Sequence, residues 1–140
     1  MTGVIEKVLA KNDSHASQIA IDRYVRHAGA VPKVNHSCNP NCGIKVNKTG
    51  AHDFIAIREI HLGEEITFDY AMRNYEIDHF PKQCSCGSEN CRSLIRGWKY
   101  LSVALKEKYK DVAAPYLLEL DKRKHRPAQA DKGFVRHSLN

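Results

Sequence analysis

The chain has 140 residues, 42% of them hydrophobic, which suits one domain with a modest core and excludes wholesale disorder. No apolar run approaches the roughly 20 residues of a membrane span, and the opening MTGVIEKVLAKND lacks the apolar centre of a signal peptide. Of the net charge of +6, the last 20 residues carry +4, from Lys122, Arg123, Lys124, Arg126, Lys132 and Arg136 against Asp121 and Asp131.

In chain order, residues 4–9 are short and ambiguous between strand and helix. Residues 17–24 (SQIAIDRY) alternate like a strand, with Ile19 and Ile21 on one face. Gly29 and Pro32 mark a turn, and the loop VNHSCNPNC follows at 34–42. Residues 43–46 and 54–58 are β-prone runs, with Asn47–Lys48–Thr49–Gly50 as a hairpin connection between them. Leu62–Gly63–Glu64 is a turn, and 65–70 (EITFDY) reads as a further strand with Ile66 and Phe68 facing one way. After Trp98 the spacing of Leu101, Ala104 and Leu105, then of Tyr116, Leu117 and Leu120 behind Pro115, predicts two short helices. They are expected to pack on the domain. The whole is α+β with short, irregular strands. A doubly wound nucleotide-binding fold is excluded, because no Gly-rich turn joins a strand to a helix. From residue 121 the chain reads as a basic, disordered tail, the one segment suited to contact with nucleic acid or an acidic partner.

A cytosolic compartment, or a nucleus where the cell has one, is expected rather than secretion. In that reducing setting five cysteines are metal ligands or thiols before they are disulfides. Cys84, Cys86 and Cys91 form C-x-C-x4-C, with Gly87 permitting a tight bend. Three local thiols leave one vacancy in the tetrahedron that a structural zinc requires. Cys38 and Cys42 are the candidates for it, and His36, His52, His61 and His79 lie near enough in sequence to substitute.

Three segments stand in one order: Asn35-His36-Ser37-Cys38-Asn39-Pro40-Asn41, then Gly63-Glu64-Glu65-Ile66-Thr67-Phe68-Asp69-Tyr70, then the cysteine knot ending Cys91-Arg92. Over residues 18–94 this closely resembles the C-terminal half of SET-domain protein lysine methyltransferases followed by a post-SET zinc motif. The resemblance implies a SET-like β-clip over residues 1–80, a zinc loop at 81–97, a helical extension at 98–120 and the tail at 121–140. It implies that Asn35 and His36 line an S-adenosylmethionine pocket, that Leu94 packs near the adenine, and that Tyr70 stands beside the reacting methyl group. It also implies that Cys38 joins Cys84, Cys86 and Cys91 around zinc. The substrate would be a protein presenting a lysine, histone-like or otherwise basic; no membrane is involved, and the oligomeric state stays open.

The sequence departs from the family in two places. The usual Arg-Gly after the last cysteine is Arg92-Ser93, and no Gly-x-Gly occurs anywhere, residues 1–16 being too short for the usual leading strands. One expectation is therefore an N-terminally truncated SET domain that transfers methyl groups. The alternative is a degenerate, non-catalytic, zinc-stapled module acting in partner binding.

Overall fold

The β part of the chain is divided among three small sheets, seen in a computed structural model that describes residues 1–12, 16–77 and 83–124. In the first, β1 (Ile5–Leu9) and β2 (Ser17–Ala20) flank β3 (Arg23–His27), both antiparallel to it. The ambiguity at residues 4–9 thus resolves as an edge strand, with Val8 left exposed and Val25 opposite it buried. Residues 17–24 are not one strand. The chain turns at Ile21 and Asp22, held by the Gln18 amide, whose Nε2 donates to the carbonyls of Ala20 (3.1 Å) and Ile21 (3.2 Å). An alternating apolar pattern does not show a side chain that folds back on its own backbone.

The second sheet is the expected hairpin, β5 (Cys42–Val46) with β6 (His52–Ala56). Its turn is held by Asn47, whose Oδ1 accepts from the amide of Thr49 at 2.9 Å, and by Gly50 at φ 87°. Residues 1–3 lie along β6, with the Phe54 amide donating to the Met1 carbonyl at 2.8 Å.

The third sheet is a two-residue parallel pair, β4 (Asn35–His36) beside β7 (Thr67–Phe68). β7 is much shorter than the six-residue strand expected at 65–70. At one end the side chain of Asn41, not a strand, takes the Thr67 amide (2.9 Å). At the other, the Asp69 carboxylate accepts from the Ala71 amide (3.0 Å) and caps a 3-10 turn, Tyr70–Met72. Phe68 is buried while Ile66 is half exposed, so the two do not share an environment.

Helices α1 (Val103–Tyr109) and α2 (Pro115–Lys124) dock on the domain as expected. Trp98, Leu101, Tyr109 and Leu117 join Val31, Ile44, Phe54, Phe68 and Met72 in one buried cluster. Two backbone bonds seat the connection between the helices: Ile44 amide to Val112 carbonyl (2.7 Å) and Ala114 amide to Met72 carbonyl (2.9 Å). Asp121, assigned above to the disordered tail, is instead an anchor inside α2. Its carboxylate accepts from the Tyr75 hydroxyl, Trp98 Nε1 and Lys106 Nζ, each at 2.8 Å. The described part of the helix runs to Lys124, and its last turn carries Lys122, Arg123 and Lys124. The rest of the tail, and His79, lie outside the described residues. Among those described, no helix is long and apolar enough to cross a membrane.

Beneath the first sheet two imidazoles are buried together, His27 and His52, with ring centroids 5.3 Å apart. His27 Nε2 accepts the His52 amide at 3.0 Å and must stay unprotonated to do so. Burial, reinforced by the nearby Arg73 guanidinium, lowers His27 from 6.5 to about 4. Burial also holds His52 well below its ordinary value, with Arg73 and His27 adding to the effect. Because both values are depressed on folding, the unfolded chain binds more protons below pH 6.5, so stability falls as pH drops from about 6.5 towards 4. Urea unfolding at pH 7 and pH 4.5 should differ by on the order of 2 kcal/mol from His27 alone. The difference should shrink in His27→Gln; a profile unchanged by that substitution contradicts the assignment.

Candidate active site and cysteine centre

The parallel pairing of β4 with β7 sets the asparagine-rich loop against the Thr67–Tyr70 segment, placing Asn35 opposite Thr67 and His36 opposite Phe68. Asn41 locks this arrangement from within the loop. It is buried, its Nδ2 donates to the Glu65 carbonyl at 2.8 Å, and its Oδ1 accepts the Thr67 amide. Both halves of the amide are used, so an Asp or Leu there would leave a buried backbone group unpaired.

Tyr70 opens the 3-10 turn and is half buried between rings, 5.0 Å from Phe68 and 5.2 Å from His36 by centroid. Its amide donates to His36 Nδ1 at 3.1 Å, and its hydroxyl donates to the Val34 carbonyl at 3.2 Å. A phenol oxygen can accept as well as donate, and here its proton is directed at Val34. The His36 imidazole is kept neutral by burial, which lowers its pKa against the opposing pull of Asp69. Since Nδ1 accepts from Tyr70, its proton sits on Nε2, which lies 3.5 Å from Cys38 Sγ.

A cavity of about 500 Å³ opens over these groups, within the range of small-molecule sites. Asn35, His36 and Tyr70 line it, with Glu65 and Thr67 on one side and Cys84 to Cys86 and Ile95 on the other. Asn35 is oriented by Glu65, its Nδ2 donating to Oε1 at 2.6 Å. Leu94 is not among the lining residues; it is 43% exposed, and its neighbour Ile95 faces the cavity.

The sulfurs of Cys38, Cys84, Cys86 and Cys91 lie within 4.8 Å of one another, and Cys38 and Cys84 are 3.8 Å apart. A tetrahedral site with metal–sulfur bonds of about 2.3 Å has sulfur–sulfur edges of about 3.8 Å, so the four can hold one ion. The ring they form is pinned by the Cys84 amide to the Ser93 carbonyl (2.8 Å) and by Asn90 Nδ2 to the Cys38 carbonyl (3.2 Å). Gly87 bends at φ 73°, and Ser93 takes φ 65°, the left-handed conformation for which glycine is the usual residue. Amides of Arg92 and Ser93 point at Cys38 and Cys91 sulfurs, each at 3.4 Å. Burial raises Cys86, but hydrogen bonds from Ser88, from backbone amides and from Cys84 outweigh it and bring the thiol down to about 5. Burial pushes Cys84 up to about 12 and raises Cys38 as well. Cys42 faces away on β5, where burial raises its pKa, and stands outside the cluster. His52 packs against His27, and His61 lies on the surface.

Two residues given no role by the sequence complete the site. Asp69, fully buried, accepts from Arg92 Nη2 at Oδ1 (2.9 Å), and its Oδ2 lies 2.7 Å from the same nitrogen as an ion-pair contact. The only available signals were an acid directly before a strand-end tyrosine and an arginine directly after a cysteine, neither of which specifies a partner.

A family model described as SET domain matches residues 6–71. The match begins earlier than the resemblance read from the motifs and stops before the cysteine loop. The chain is 40% identical over 67 residues to the H3 lysine-36-specific histone-lysine N-methyltransferase of Mycosarcoma maydis, covering 46% of this chain and 7% of that protein. It is 43% identical over 65 residues to the histone-lysine N-methyltransferase SETD1B of Homo sapiens, covering 44% of this chain and 3% of that one. Over 80 residues it is 40% identical to the histone-lysine N-methyltransferase trithorax of Drosophila virilis, which spans 55% of this chain and 2% of the relative. The chain therefore covers only a small part of the length of these relatives.

Proposed function

We propose, from the match of a SET-domain family model to residues 6–71, that the chain carries the site for methyl transfer from S-adenosylmethionine to the ε-amine of a protein lysine. The observation that supports this most directly is the Tyr70 hydroxyl. It donates to the Val34 carbonyl at 3.2 Å and stands at a cavity walled by Asn35, His36 and the cysteine loop. When bound, S-adenosylmethionine supplies a methyl group on a positively charged sulfur. The transfer is an in-line displacement: a carbon–nitrogen bond forms, the carbon–sulfur bond breaks, and sulfur keeps the electron pair. What the protein contributes is alignment.

Asn35 and His36 hold the cofactor side of the cavity, Asn35 with its amide set by Glu65. A lysine ammonium, of ordinary pKa about 10.4, must first lose a proton to solvent. Tyr70 Oη then accepts an N–H of the neutral amine and turns its lone pair towards the methyl carbon. Cys38, Cys84, Cys86 and Cys91 would hold zinc, for which their sulfur-only donor set and spacing are suited. Held there, the four cysteines would tie their loop against the cavity. A lysine in a histone or similar basic protein is the substrate class we propose, by likeness to the relatives named above.

Titration calorimetry of the zinc-loaded chain with S-adenosylmethionine should show saturable, one-to-one binding. A folded, zinc-loaded chain with no detectable heat at millimolar cofactor would overturn the enzyme reading in favour of a stapled, non-catalytic module.

A further inference from the structure

The cysteine centre and Tyr70 are joined by a side-chain path that the transfer chemistry does not require. The carboxylate of Asp69 is fully buried at the start of the Tyr70–Met72 turn, and its Oδ1 accepts the Ala71 amide at 3.0 Å. Its charge is met by Arg92, whose Nη2 lies 2.9 Å from Oδ1 and 2.7 Å from Oδ2. Arg92 in turn is fixed at its backbone: it follows Cys91 directly, and its amide points at Cys38 Sγ at 3.4 Å. Tyr109 of α1 is buried with an unpartnered hydroxyl. Burial, reinforced by the nearby Asp69 carboxylate, pushes that phenol up.

We propose that Arg92 is a positioning residue that transmits metal binding at the cysteine centre to the active-site turn: closing the four sulfurs around an ion fixes Arg92, Arg92 fixes Asp69, and Asp69 holds the turn that carries Tyr70. A buried ion pair is a poor device for stability alone, since apolar residues of like volume serve as well; its strength is in defining one geometry. Here that geometry spans two segments 23 residues apart in sequence. Without the ion the four sulfurs have no common centre to hold Cys91, and the Asp69 partner is released. The inference rests on the zinc reading above, and extends it from a staple on the loop to a condition on the tyrosine.

The test is amide hydrogen exchange on the full chain, zinc-loaded and chelator-stripped. The double variant Asp69→Asn/Arg92→Met serves as comparison; it keeps the cap on the Ala71 amide while removing both buried charges. In the wild type, stripping zinc should speed exchange at Ala71 and Met72 at least tenfold while the β5–β6 hairpin stays protected. In the double variant, which should still bind one zinc, the same amides should exchange at rates that differ less than twofold with and without metal. A tenfold zinc response retained in the double variant would place the coupling in the Cys38–His36 contact and overturn the role of Arg92. Wild type that binds zinc with no change at these amides overturns the inference alone. Wild type that takes up no zinc overturns the metal reading and this inference with it. If the double variant fails to fold, the single variant Arg92→Gln takes its place, and a tenfold zinc response retained there overturns the role of Arg92.

Discussion

Tyr70→Phe should lower the rate of methyl transfer by about a hundredfold or more while leaving cofactor affinity within a few-fold. Removing one oriented polar group aimed at a reacting centre costs about 10²–10³ in turnover in comparable cases. The hydroxyl is the polar atom of that ring, and it is already oriented by the Val34 carbonyl at 3.2 Å. The ring itself is held by other means, between Phe68 and His36 and beside the Arg73 guanidinium, 5.3 Å from its centroid. Phenylalanine therefore keeps the packing. The Val34 carbonyl loses its partner, at a stability cost of about 1 kcal/mol. Single-turnover rates with a lysine-bearing peptide, beside thermal melts, separate the two effects. Undiminished turnover in a folded Tyr70→Phe chain would remove Tyr70 from the reaction.

The second large effect is expected at Cys38. The residue is 1% exposed, and its sulfur comes from a segment 46 residues before Cys84, so of the four sulfurs it is the one from the asparagine-rich loop. Cys38→Ser should cut zinc affinity by more than about a hundredfold, since losing even an outer-shell partner commonly costs 10–100-fold. Metal content should fall from about one equivalent per chain towards none. Because the ion binds the folded chain in preference to the unfolded one, its loss should lower the thermal midpoint by about 10 °C, and chelator treatment of the wild type should match it. Cys42→Ser is the control. Both thiols are buried, but Cys42 lies in the β5 ladder opposite Ala56, and its substitution should leave metal content unchanged. Equal zinc content in the Cys38 and Cys42 variants would exclude Cys38 as a ligand.

Much of this organisation is readable from residue order, because it depends on local rules. The hairpin at 42–56 follows from two β-prone runs about an Asn…Gly turn, and α2 begins at Pro115, where a first-turn proline is tolerated. The places where the pattern misled are those where a side chain replaces a backbone partner. Gln18 bends one expected strand into two, and Asn41 and Asp69 trim the strand at 65–70 to two residues. Asp121 shows the same effect at longer range. The residues that follow it are basic and polar, which suits a tail, yet Tyr75, Trp98 and Lys106 converge on it from three other segments.

By itself, the sequence determined the chemistry on offer: a tyrosine at a strand end, an Asn-His pair, and three thiols whose spacing lets them share one ion. It also determined which residue types were available to complete that ion's shell, but not which one does so. Cys38 and Cys42 stand four positions apart in one loop, and nothing in their spacing from Cys84 separates them. The fold separates them, because Cys42 enters a strand whose pairing aims it elsewhere while Cys38 stays in the loop beside β7. The same holds for Arg92 and Asp69. Charge complementarity between two residues is visible in any sequence, but the pairing is set by a tertiary path that brings one acid, buried and capped, to one guanidinium. Long-range partners are chosen by where the backbone runs, and that is decided by the packed core and the three small sheets together.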